Sequence, residues 1–144
     1  MPRLRGASDK KMGILKRVFI FVSEFSKGSF MAAEFWNIKK FHAALSSGEP
    51  FLVDFFATWC APCKQMAPIF EEFAVLHDDV HAAKADVDAE PALAEICGVK
   101  TVPTFILFRH GKEFSRAHGV MSLRKLEQFA GVKQSRKEKE EVFD

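Results

Sequence analysis

The sequence predicts an α/β fold, a central mixed β-sheet flanked by helices on both faces, and three observations predict it. From residue 34 onward the apolar pattern switches repeatedly between strand-like runs and helical spacing. One run, Phe51 to Ala57, is almost wholly apolar, as a central strand covered on both faces must be. Near the end, His110-Gly111 separates two short segments and reads as a hairpin, which makes part of the sheet antiparallel.

Each element follows from its own residues. Asn37 is a plausible N-cap for a helix whose apolar face is Ile38, Phe41, Ala44 and Leu45, ended by Ser46-Ser47-Gly48-Glu49-Pro50. After the Phe51–Ala57 strand, Met66, Ile69, Phe70, Phe73, Ala74 and Leu76 recur at helical spacing from Cys60 to about His77, with Pro68 expected to kink the run. Val80 to Asp86 reads as a strand. Asp88 then reads as the cap of a helix from Ala89 to Cys97, with Pro91 in its first turn and Gly98 closing it. Val102 to Phe108 and Glu113 to Ala117 are the hairpin strands. Ser122 caps a last helix carrying Leu123, Leu126, Phe129 and Ala130 before Gly131.

The chain's 144 residues, 48% hydrophobic with 16 Phe, make about one domain with a core that needs no staples. A net charge of +2 is too balanced to select nucleic acid as a partner. The charge is uneven, however: residues 1–29 hold seven basic side chains and two acidic ones. Their only unbroken apolar run is Val18–Val22, too short for a membrane span or a signal-peptide core. We divide the chain into a basic extension (1–30), a domain (31–132) and a charged tail (133–144). Two readings of the extension stay open, an organelle transit peptide and an extension from a start assigned too early.

The chemistry points to Trp59-Cys60-Ala61-Pro62-Cys63-Lys64, placed between the apolar strand and the long helix. At a helix start, free backbone N–H groups and the positive end of the dipole stabilise an anion, so Cys60 is expected to ionise more readily than an ordinary thiol and act as nucleophile. Cys63, one turn on, can attack a mixed disulfide at Cys60 and is the expected resolving thiol. Pro62 suits a helix start and helps hold the pair at bonding distance.

The run Val53-Asp54-Phe55-Phe56-Ala57-Thr58-Trp59-Cys60-Ala61-Pro62-Cys63-Lys64, followed by Ala67-Pro68, resembles the active-site signature of the thioredoxin family. Lys84-Ala85-Asp86-Val87-Asp88, Gly98-Val99-Lys100-Thr101-Val102-Pro103-Thr104-Phe105, Gly111 and Gly119 match later landmarks of that family in order and spacing, so the resemblance runs from about Phe35 to Gly131. Ala61 departs from it, standing where the family typically has Gly. Residues between the cysteines tune thiolate stability, so this bears on reduction potential and not on reaction class.

The resemblance implies a thioredoxin fold and a protein dithiol-disulfide oxidoreductase working through a reversible Cys60-Cys63 disulfide. Asp54 would be the buried acid exchanging a proton with Cys63, consistent with its interruption of an apolar strand. Lys84 would neighbour that acid and modulate it. The bond before Pro103 would be cis and lie against the cysteines, leaving Val102 backbone groups for an extended substrate. Trp59 would shield the disulfide, and Ala61, Val102 and Gly119 would form a shallow docking patch. No bound cofactor is expected. Electrons would come from NADPH through a flavin-containing thioredoxin reductase, and the partners would be that reductase and disulfide-containing proteins. The expected state is a cytoplasmic monomer, or a mitochondrial or other organelle protein if residues 1–29 are a transit peptide.

Rival readings are an oxidase or isomerase of an exported compartment, a redox-independent binding module, and a zinc protein using Cys60, Cys63 and Cys97. The sequence shows neither a Gly-rich phosphate loop nor a basic-aromatic RNA motif, and its five histidines lack metal-like spacing. Cys97, outside the motif, reads as a small buried hydrophobe.

Overall fold

The computed structural model describes residues 32–134; the basic extension up to Met31 and the tail from residue 135 lie outside them. The sheet begins with β1 (Glu34–Phe35), a two-residue edge strand that the apolar pattern does not disclose, since two residues cannot show alternation. Helix α1 (Ile38–Ser47) starts as predicted, the Asn37 side chain accepting from the Lys40 N–H at 2.9 Å. Strand β2 (Phe51–Phe56) leads to the long helix α2 (Ala61–Leu76), which contains Pro68 and buries Cys63, Met66, Phe70 and Phe73 at spacings of three and four. Strand β3 (His81–Asp86) follows.

The next helix, α3 (Pro91–Ile96), is shorter than predicted. Its N-cap position is Glu90, which makes no side-chain cap, and Asp86 rather than Asp88 caps the preceding turn, accepting from the Asp88 N–H at 2.9 Å. Strand β4 (Thr104–Arg109) begins two residues later than expected, because Val102 and Pro103 belong to the loop before it. Strand β5 (Lys112–His118) returns through the predicted hairpin. His110 and Gly111 there have φ of 55° and 77°, the doubly left-handed turn that matches the twist of paired strands. Ser122 caps α4 (Leu123–Ala130), accepting from the Lys125 N–H at 3.2 Å.

The five strands lie in the order β1-β3-β2-β4-β5. β1, β3 and β2 are mutually parallel, and β4 and β5 are antiparallel to their neighbours. Because side chains alternate across a strand, β2 divides its residues between two cores. Phe51, Val53 and Phe55 join Trp36, Phe41, Leu93, Ile106 and Phe108 on the α1/α3 face, where the Phe51 and Phe108 rings stack 4.7 Å apart. Leu52 joins Met66, Phe70, Phe73, Phe105 and Leu126 on the α2/α4 face. The register runs one row across that second face: Phe35, Lys84, Asp54, Phe105, Ala117. A carboxylate and an ammonium thus sit side by side in an otherwise apolar row.

Candidate active site

Where β2 ends, the chain turns through Ala57-Thr58-Trp59 into α2, and Cys60 is the residue that caps the helix. Its extended backbone (φ −93°, ψ 114°) turns the sulfur back over the first turn, where Cys60 Sγ accepts from the Cys63 N–H at 3.2 Å. Cys60 and Cys63 are joined as a disulfide with Cα atoms 5.2 Å apart. Both are buried, packed with Ala57 and flanked by Phe56, Val87 and Val102. Ala61 and Pro62 between them are exposed, as is Trp59 before them.

Across the site the Val102-Pro103 bond is cis, as the resemblance implied, and the Val102 carbonyl oxygen lies 3.7 Å from Cys60 Sγ. Two neighbours hold this loop. The Gly119 N–H donates to the Pro103 carbonyl at 3.0 Å from a backbone at φ 86°, which only glycine adopts without strain. The Thr104 hydroxyl, whose single proton goes to the Thr101 carbonyl at 2.6 Å, accepts from His118 Nδ1 at 3.0 Å. Trp59, Cys60, Ala61, Pro62, Cys63, Val102, Pro103 and Gly119 are thus gathered at one end of the sheet.

Asp54 lies on β2, two residues before Phe56, only 2% exposed and with its Oδ1 lacking any hydrogen-bond partner among the described residues. Burial pushes its carboxyl from the ordinary 3.8 up to about 7, against the pull of the Lys84 ammonium in the adjacent strand. A carboxyl poised near neutrality can both take and return a proton, which a surface aspartate cannot.

A family model for thioredoxin matches residues 33–131. The chain belongs to the thioredoxin family. It is 43% identical over 96 residues to thioredoxin of Alicyclobacillus acidocaldarius, a match covering 65% of this chain and 91% of that one. It is 41% identical over 95 residues to the bifunctional thioredoxin reductase/thioredoxin of Mycobacterium leprae, covering 65% of this chain and 21% of that protein. Among solved structures, mitochondrial thioredoxin 3 of Saccharomyces cerevisiae in its oxidized form superposes with a TM-score of 0.63 at 31% identity, covering 69% of this chain and 92% of the other. Membership carries the activity: this thioredoxin-family chain is a protein dithiol-disulfide oxidoreductase serving thiol redox homeostasis, and Cys60-Cys63 is its redox-active disulfide.

Sequence reasoning missed one contact at the site. Trp59 is 69% exposed, yet its indole N–H donates to Asp88 Oδ2 at 2.9 Å, so the carboxylate read as a helix cap instead moors the exposed ring. Only the distance between β2 and β3 reveals this, because 29 residues separate the partners. The three-cysteine metal reading loses its geometry, since Cys97 packs against the α1/α3 core, apart from the disulfide. Among the described residues no group of three or more His, Cys, Asp or Glu is arranged to hold a metal, and no helix is long and apolar enough to cross a membrane.

Proposed function

We propose that Cys60 is the nucleophile, Cys63 the resolving thiol and Asp54 the proton acceptor of a protein-disulfide reductase. The reduced Cys60 thiolate attacks one sulfur of a substrate disulfide, forming a mixed disulfide and expelling the other substrate sulfur as thiolate. Asp54, through an intervening water, takes the Cys63 proton. Cys63 then attacks Cys60 Sγ, the substrate's second sulfur leaves, and Cys60-Cys63 closes; two electrons have passed to the substrate. The observation that carries this reading is the disulfide at the cap of α2, with a backbone N–H already aimed at Cys60 Sγ and, on the preceding strand, a buried carboxyl whose Oδ1 has no hydrogen-bond partner among the described residues.

Substrate reaches Cys60 across Trp59, Ala61, Pro62, Val102, Pro103 and Gly119, an extended segment pairing with the Val102 backbone as an added strand. Lys84 tunes Asp54. Regeneration uses a flavin-containing thioredoxin reductase fed by NADPH, a reading supported by the relative that carries reductase and thioredoxin in one chain. We take the working domain as residues 31–132, with 1–30 as extension and 133–144 as tail. The protein acts in the cytoplasm as a monomer, with import into mitochondria or another organelle through residues 1–29 as the alternative; the mitochondrial yeast neighbour favours keeping it. Mass spectrometry of the native N-terminus separates the two.

An insulin-reduction assay with dithiothreitol or reductase as donor tests the chemistry. Turnover is expected with the native chain and with neither cysteine variant, Cys60→Ser nor Cys63→Ser, while Cys63→Ser should trap substrate in a mixed disulfide at Cys60. Turnover retained in Cys60→Ser would refute the assignment.

A further inference from the structure

Phe35 presents a physical oddity. It is a large apolar side chain on a two-residue edge strand and is 57% exposed, a poor place to gain hydrophobic stabilisation. Its ring is nonetheless engaged. It meets the Phe56 ring edge-on, with centroids 6.0 Å apart, and the Lys84 ammonium lies 5.4 Å from the Phe35 centroid and 5.2 Å from that of Phe56. Both distances are within reach of a cation–π attraction. Among the described residues no hydrogen bond or direct ion pair engages the Lys84 ammonium, although the residue is only 7% exposed. The two rings are therefore the close protein partners of the ammonium of a largely buried lysine.

We propose that Phe35 is a positioning residue of the thiol-disulfide site: with Phe56 it forms a two-ring clamp that holds the Lys84 ammonium beside Asp54. This rests on the proposed role of Lys84 toward Asp54. The argument is one of alternatives open to the charge. Lysine carries a compact, strongly hydrated ammonium on a flexible stem, and β1 is the outer strand of the sheet. With the Phe35 ring absent, the side of Lys84 facing that edge opens to water, and the ammonium swings out to be hydrated. Its field at Asp54 then weakens. With both rings present the ammonium is held without being hydrogen-bonded to the carboxyl, and Asp54 Oδ1 stays free to exchange a proton.

Other charges around the pair are few. Asp54 faces Lys84 from β3. Lys84 has Asp86 two residues along its own strand on the same face, while Glu71 of α2 accepts from the Ala33 N–H at the start of β1. Glu34, the neighbour of Phe35, points to the opposite face, where it accepts from the Trp36 indole and pairs with Lys40 and His81.

The test is the titration of the Asp54 carboxyl carbon by NMR in the oxidised full chain, where neither active-site thiol titrates. Lys84→Met is expected to raise the Asp54 midpoint by about one unit, because a favourable charge is lost. Phe35→Leu, which keeps apolar cover but no ring, should raise it by about half a unit. Phe35→Tyr, which keeps a ring, should leave it in place, and Phe35→Leu made on Lys84→Met should add nothing. An unchanged or lowered midpoint in Phe35→Leu, or an equal rise with and without Lys84, overturns the clamp while leaving the Lys84 reading intact. No rise in Lys84→Met overturns that reading, and the clamp with it. Should Phe35→Leu lose the fold, Phe35→Met carries the same comparison.

Discussion

Cys60 and Cys97 are the same side chain at opposite ends of helices, and the contrast explains where the chemistry sits. Cys60 caps the start of α2, where its sulfur receives the Cys63 N–H. Cys97 caps the end of α3, where backbone groups present carbonyls instead; Arg116 Nη2 donates to its carbonyl at 2.6 Å and leaves the sulfur without that service. Burial pushes the Cys97 thiol from 9.0 up to about 11, with Arg116 pulling it back and Glu113 adding to the rise. A helix start offers an anion unpaired donors, and a helix end offers it unpaired acceptors. Cys97 is thus kept as a neutral thiol chiefly by burial, at a helix end that offers it none of the donors found at the start of α2.

The largest effect that would break this contrast is at Cys60 itself. Cys60→Ser is expected to reduce insulin turnover to the level of the no-protein control, whereas a reactive Cys97 able to substitute for it would leave measurable turnover. Asp54 comes next. Asp54→Asn should slow substrate reduction by about a hundredfold at neutral pH, as loss of a positioned acid-base group does, and should erase the pH step near 7 in the rate profile. The same substitution should stabilise the fold at alkaline pH. The folded-state value of about 7 lies above the ordinary 3.8, so folding is penalised as pH rises through that window, by about 4 kcal/mol once above it. Denaturant melts should show Asp54→Asn more stable at pH 8 and nearly level with the native chain at pH 4. Equal stability at pH 8 would mean that burial does not raise the carboxyl above its ordinary range.

Most of the architecture was readable from the residues because its signals are local. Asn37, Ser122 and His110-Gly111 act through neighbours three or fewer positions away, and α2 announces itself through the spacing of Met66, Phe70 and Phe73. The cysteines were readable for the same reason. What escaped depends on contacts made only when strands assemble. β1 exists because its backbone pairs with β3, Asp88 reaches Trp59 across 29 residues, and Phe35 meets Lys84 only through register. The start of β4 was misplaced by two residues because Val102 continues an apolar run while its backbone serves the loop facing Cys60.

Asp88 offers a finer test, since it belongs to neither cysteine yet fixes the residue beside one of them. Asp88→Ala should raise the KM for protein substrates by about fivefold, the worth of one exposed hydrogen bond, with kcat little changed. The Trp59 fluorescence should also become more mobile in anisotropy decay. A fall in kcat with unchanged KM would show instead that Asp88 acts on the sulfur chemistry and not on the docking face.

Cys97→Ala should have the smallest effect, and that is informative. If Cys97 is an apolar filler against the α1/α3 core, removing its sulfur costs about 1 kcal/mol or less, and insulin reduction should match the native chain. Its thiol is half-buried and so within reach of a small alkylating reagent. At fixed pH, a value near 11 in place of 9.0 leaves about a hundredfold less thiolate than an ordinary cysteine, and iodoacetamide should modify it correspondingly slowly in the oxidised protein. Arg116→Gln removes the cation that opposes this rise and should slow the reaction further. Alkylation of Cys97 as fast as that of a free model thiol would show that its burial at the end of α3 does not suppress its ionisation, and the contrast between the two cysteines would lose its physical basis.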